Sequence, residues 1–414
     1  MKKSITIILS LIVCFLLAFA LPACVEDTHT CVDEDLNHKC DKCNEDLLAC
    51  TDNDNNHKCD VCERKVSDCI DANNDHECDV CKFETSDCLD DNSDEYCDVC
   101  SQYVGNWIFE LNGNGYWLKS WKEGQLTNVV IPSTHNGLPV TGIANNAFRD
   151  CATLTSVTIP NSVTTIGNDA FYWCTSLSSI TIPDSVTSIG NYAFYWCTSL
   201  TNVTLGNSVA TIGEYAFHDC LYLANINIPN SVTTIGYRAF DGCSSLTDIV
   251  IPNSVTSIDS DAFYDCSSLT NVTLSNSITS INYGMFYNCS SLASITIPDS
   301  VTEINDKAFY GCTSLTSIVI PNSVTSIGSK AFYYCSALTD VTIGSSVSSI
   351  GQFVFYNCSS LSSITFNDTT TWYSVANETQ WQEKTNGTEV NLSTPEDNVE
   401  KFLTTYETSY WYKK

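Results

Sequence analysis

The chain has 414 residues, 43% of them apolar, with a formal net charge of −30 and 24 cysteines. That apolar content can build two or three cored units and excludes wholesale disorder, while 48 carboxylates against 18 basic residues leave no basic patch for nucleic acid. The cysteines are too numerous for ordinary core use, so they form a repeating structural column, a disulfide framework or metal ligands.

Lys2 and Lys3 precede an apolar run over residues 5–20, which predicts an export signal within residues 1–23. The run ends at Leu21-Pro22-Ala23-Cys24, which resembles the lipobox of bacterial lipoproteins. Lipidation of Cys24 would anchor the chain, so that it meets the membrane only through a lipid. Cleavage after Ala20 would instead secrete it, and an uncleaved anchor is the third reading. No later stretch is long and apolar enough to span a bilayer.

Residues 24–105 hold four 19-residue repeats, with cysteines at 31/40/43, 50/59/62, 69/78/81 and 88/97/100. Between Val25 and Gly105, 24 acidic residues face six basic ones, so this segment carries −18 of the charge. Each unit alternates oxygen ligands as a loop wrapping a hard cation must. The sets are Asp33, Asp35, Asn37 and Asp41; Asp52, Asp54, Asn56 and Asp60; Asp71, Asn73, Asp75 and Asp79; and Asp90, Asn92, Asp94 and Asp98. The spacing resembles the calcium repeats of thrombospondin type 3, except that His38, His57, His76 and Glu95 stand where those loops have glycine. Zinc is the rival ion, since Cys31, His38, Cys40 and Cys43 form a Cys3His set repeated with variations. A metal-free disulfide spacer is the remaining reading, and in every case 19 residues need staples in place of a core. No organic cofactor is expected.

From Cys151 to Cys358 ten cysteines recur every 23 residues, and a fixed period of that kind marks a solenoid. Residues 106–153 are its cap and irregular first copy, residues 154–370 its body, and residues 371–414 a closing cap and tail. The unit Leu154–Ser176 reads LTSVTIPNSVTTIGNDAFYWCTS. Val157 and Ile159 alternate inward around Thr158, Pro160 ends the strand, and a second extended stretch buries Val163 and Ile166. A column of Gly167, Gly190, Gly213, Gly236, Asp259, Asn282, Asn305, Gly328 and Gly351 suggests positive φ, because only glycine, asparagine and aspartate occupy it. Ala170, Phe171 and Cys174 then predict a short helical or 3₁₀ turn. The ten parallel cysteines suit a disulfide poorly and are expected as buried thiols.

This pattern resembles the BspA-type leucine-rich repeat of bacterial surface proteins, over roughly Tyr116 to Trp372. VVIPSTHNGLPVTGIANNAF from Val129 is similar to that family's opening copy, and ITFNDTTTWYSV from Ile364 to its closing cap. The resemblance implies a mainly β, right-handed leucine-rich-repeat solenoid of parallel strands, preceded here by small irregular cysteine-rich modules. It also implies a non-enzymatic role in adhesion or binding on the bacterial cell surface or outside the cell.

Outward strand positions are short and polar, while Tyr172, Tyr195, Tyr264, Tyr287, Tyr310, Tyr333 and Tyr356 form a regular row. Such a row suits contact with an extracellular protein or glycan; the competing reading is a purely structural ring ladder. His218 and Asp219 interrupt it and read as drift. Residues 106–414 hold only His135 and His218, with no nucleophile motif, phosphate loop or paired histidine ligands, so no enzymatic role is expected. The tail, rich in tryptophan and tyrosine, is expected to cover the last coil, because an open edge would pair with other chains.

Overall fold

Alternate side chains of each short strand point to one interior, and the chain repeats this geometry at every 23-residue step. The computed structural model describes residues 107–121, 127–392 and 394–413. Coils of the repeat contribute a strand of two to four residues, such as Ser179–Thr181, and then a two-residue strand, such as Ser188–Ile189, except that the coil of Ile295 has no first strand. Strands of successive coils pair in parallel at the repeat offset, as Ser179 with Asn202 and Ile189 with Ile212. The described residues therefore form a parallel-strand β-solenoid with little helix.

Burial follows the sequence columns: Leu177, Val186, Ala193, Phe194 and Cys197 have no exposed surface, while Ser179 and Thr181 flank the buried Ile180 on the outside. At about 1.5–3 kcal/mol per buried large apolar side chain, every coil supplies several such contributions. Ten phenylalanines from Phe148 to Phe355 stack down the axis, with centroids 5.0 Å apart at Phe148–Phe171 and 5.7 Å apart at Phe263–Phe286. Proline ends the strand where predicted, and its carbonyl accepts from the amide three residues on, as Val163 N to Pro160 O at 3.1 Å.

All ten described cysteines are buried free thiols. They also do more than fill space. Cys174 donates to the Phe148 carbonyl at 3.1 Å and Cys243 to that of Phe217 at 3.2 Å, tying each coil to the one before it. Burial pushes thiols such as Cys220 and Cys266 well above the usual value, so they remain protonated donors rather than nucleophiles.

Two expectations are corrected. The Gly167 column does not have positive φ; the left-handed residues lie two and six positions later, as at Asp169 (φ 55°) and Trp173 (φ 59°). Glycine is favoured because coils approach closely there: a Cβ on Gly213 would lie 2.6 Å from the carbonyl carbon of Gly190. The stretch around Phe171 is not a helix either. Turns closed by Tyr172 N to Asp169 O and Cys174 N to Phe171 O leave the amides of Asp169, Phe171 and Trp173 free to donate to the next coil. The left-handed residues, each costing about 1–2 kcal/mol, make this third ladder possible.

The glycine column explains a seam. Its backbone N–H normally donates to the preceding coil's isoleucine carbonyl, as Gly236 N to Ile212 O at 2.9 Å. At Asn282 the side-chain amide takes that acceptor instead, Nδ2 to Ile258 O at 2.6 Å. Strand pairing stops there, so Ser257–Ile258 ends one sheet and Ser280–Ile281 begins another.

Both ends are closed. The hairpin Trp107–Asn112 and Gly115–Trp121 leads into the second-strand sheet through Leu138–Ile143. At the other end Tyr410–Lys413 pairs antiparallel with Ser349–Ile350 and Trp372–Val375, burying Trp372, Trp411 and Tyr412. Asn398 donates to the Ile364 carbonyl at 2.9 Å, capping the last first-strand carbonyl edge. The tail covers the final coil as the aromatic content suggested.

Candidate functional site

The residue after each core phenylalanine lies half-buried at the turn ladder, so the fold converts a 23-residue period into a column of side chains one coil apart. Tyr172 and Tyr195 stack at 4.8 Å, and Tyr195 continues onto His218 at 4.6 Å. A second stack runs through Tyr264, Tyr287, Tyr310, Tyr333 and Tyr356 with centroids 4.4 to 4.9 Å apart. All seven predicted tyrosines thus join a ring ladder in two pieces. Each of these rings is half-buried.

Asp241 occupies the tyrosine position between the pieces and is 4% exposed. Its Oδ2 is 3.3 Å from Arg238, which also reaches Asp261 at 3.3 Å. His218 lies between carboxylates: Nε2 is 3.1 Å from Asp219 Oδ2, and Nδ1 is 3.2 Å from Asp241 Oδ2, though not aligned as a hydrogen bond. Reading His218 and Asp219 as drift is therefore revised, because the fold gathers them with Arg238, Asp241, Asp261 and Asp265 into one charged group. Burial raises the carboxyls of Asp219, Asp261 and Asp265 above the ordinary range; His218 partly offsets this for Asp219, and Arg238 for Asp261.

Beside this group the next column drops from large to small. Trp173 and Trp196 stack at 5.1 Å with 42% and 37% of their surface exposed. Asp219, Gly242, Asp265, Asn288 and Gly311 follow, before Tyr334 restores bulk. The result is an open groove of about 840 Å³ running from the coil of Asp219 to that of Tyr334. The first-strand face is hydrogen-bonded from coil to coil, Thr201 Oγ1 donating to Ser178 O at 3.0 Å and Thr339 Oγ1 to Thr316 O at 3.0 Å, and a second groove of about 510 Å³ opens on it beside Ile295, Val319 and Asn322.

Among the described residues no group of three or more histidine, cysteine or acidic side chains could hold a metal ion. The calcium and zinc ligand sets between Cys31 and Cys100, and Cys24, lie outside the described residues. Among the described residues no helix is long and apolar enough to cross a membrane.

The BspA type leucine rich repeat region matches in overlapping segments, at residues 119–244, 187–316 and 258–378. The chain belongs to the BspA-type leucine-rich repeat family. Among solved structures, this BspA-type chain is similar to a leucine-rich repeat protein from Bacteroides ovatus, with 27% identity over 64% of this chain and 71% of that one and a TM-score of 0.50. A Treponema pallidum leucine-rich repeat protein is 32% identical over 50% of this chain and 87% of its own, with a TM-score of 0.40. A leucine-rich cell surface protein from Faecalibacterium prausnitzii is 26% identical over 67% and 95%, with a TM-score of 0.31. No curated protein sequence matches this BspA-type chain. Repeat proteins of this bacterial type generally bind proteins and are typically not enzymes.

Proposed function

We propose that this chain is a non-enzymatic adhesion or binding protein of the bacterial surface, or secreted, that presents its tyrosine row to an extracellular protein. The observation carrying this reading is the five-ring stack from Tyr264 to Tyr356, half-buried on the laddered coils. Side chains already ordered in the free protein lose little entropy on binding, and tyrosine offers large contact area with a polar tip. The apolar leader and Cys24 support export, with lipid attachment as the anchor. The acidic cysteine repeats are read as a stalk that takes calcium, or zinc in the alternative, on the strength of their ligand spacing.

The test is a binding screen of the full chain against purified extracellular-matrix proteins, followed by Y287A/Y310A/Y333A and Y287F/Y310F/Y333F. At least tenfold weaker binding is expected for the alanine set and an intermediate loss for the phenylalanine set, which keeps the rings and removes the hydroxyls. Undiminished binding by a folded alanine variant would contradict this role for the row.

A further inference from the structure

We propose that the groove between Asp219 and Asp265 receives two basic side chains, three positions apart in a polyproline-II segment of the protein partner. This rests on the protein-binding reading above and specifies the partner's chemistry.

Two arginines on this face, Arg149 and Arg238, share one arrangement, a charged head over a tyrosine ring beside a carboxylate. Arg149 lies 4.0 Å over Tyr172 and 2.8 Å from Asp169. Arg238 lies 5.1 Å over Tyr264, the ring that Asp241 leaves without a stacking neighbour on that side, and bridges Asp241 and Asp261. Asp219 and Asp265 follow His218 and Tyr264 in sequence; their partners are His218 and Trp196 for Asp219 and Asn288 for Asp265, and no lysine or arginine among the described residues pairs with either. Both line the groove, whose floor drops to Gly242 between them.

The charge does not balance locally. Four carboxylates, Asp219, Asp241, Asp261 and Asp265, face one arginine, Arg238, and one histidine, His218, leaving an excess of negative charge that partial burial makes costly. A basic side chain offsets that cost, whereas a neutral sugar would bury the carboxylates further without supplying charge. The spacing selects the segment. Coils here are 5.5 Å apart, so the two carboxylates stand about 11 Å apart along the axis. Three residues of polyproline-II chain span about 9 Å and bring the side chain back to the same side, and Gly242 with Ser244 and Ser267 leaves room for the backbone between the anchors.

The probe is a labelled glycine- and serine-flanked peptide with two lysines three apart, titrated into the full chain, with its glutamine counterpart and a neutral oligosaccharide as comparisons. The acidic stalk attracts a basic peptide too, so the readout is the difference between wild type and D219N/D265N, together with carbodiimide cross-links located by mass spectrometry. The groove assignment expects cross-links at Asp219 and Asp265 and at least tenfold weaker binding of the stalk-corrected component in D219N/D265N. It also expects no effect of D340N, a carboxylate on the first-strand face. Equal binding to wild type and D219N/D265N, or binding of the oligosaccharide instead of the peptide, would overturn it. If a matrix protein binds through the tyrosine row and D219N/D265N changes nothing, the groove assignment alone fails. If the peptide binds as expected and no protein partner uses the tyrosine row, the groove stands and the wider reading fails.

Discussion

Replacing Phe240 by alanine is expected to lower the unfolding free energy of the solenoid by about 3–5 kcal/mol. The ring has no exposed surface and lies 5.5 Å from both Phe217 and Phe263. Removing it leaves a cavity bounded by neighbouring coils whose backbones are laddered together and cannot close over it. The form of the transition should change as well. In a solenoid each coil contacts only its neighbours, so a weakened interface in the middle uncouples the two halves and broadens or splits the transition. Tyr287→Ala, at a half-buried position, should cost less. Denaturant unfolding followed by circular dichroism measures both variants, and a loss below about 1 kcal/mol for Phe240→Ala would mean that the ring column is not the core.

Gly213→Ala is expected to cost about 1–3 kcal/mol although its backbone angles suit alanine. The added methyl would meet the Gly190 carbonyl carbon and oxygen at 2.6 Å, forcing the coils apart where Gly213 N donates to Ile189 O. The comparison is Asp169→Gly, at a residue with φ of 55°. If conformational freedom governed the Gly167 column, Gly213→Ala would be harmful because of its φ; close approach predicts harm at a negative φ and relief from Asp169→Gly. The same denaturant experiment reads both. A neutral Gly213→Ala would remove the close-approach explanation.

These variants also show what the sequence could express. The solenoid was legible because one 23-residue step equals one coil, so inward columns such as Val163, Phe171 and Cys174 keep their phase through every copy. The Gly167 column was misread because two different causes select glycine. Positive φ and lack of room for a Cβ leave the same residue choice, and only the packed coils distinguish them. The true left-handed positions carry Tyr192, Arg238, Lys330 and Trp196, whose identities give no hint of their backbone angle.

The tyrosine ladder was legible for the same reason as the core. The groove was not: His218, Arg238, Asp241 and Asp265 are scattered along the chain, and each alone resembles drift within a copy. Offsetting His218 by one repeat gives Asp241, the single carboxylate in a column of rings, and offsetting Asp219 by two gives Asp265. That alignment was the available signal, and stacking turned it into a site.

The proposed binding of a protein through the tyrosine edge of the BspA-type solenoid, rather than through its first-strand face, has a direct test. Hydrogen exchange of the full chain with and without its tightest matrix-protein ligand tests this directly. Protection is expected in the turn segments carrying Tyr264, Tyr287, Tyr310 and Tyr333, with little change in Asn202–Thr204 and Asp248–Val250. Protection confined to those strands, with the tyrosine turns unchanged, would contradict it.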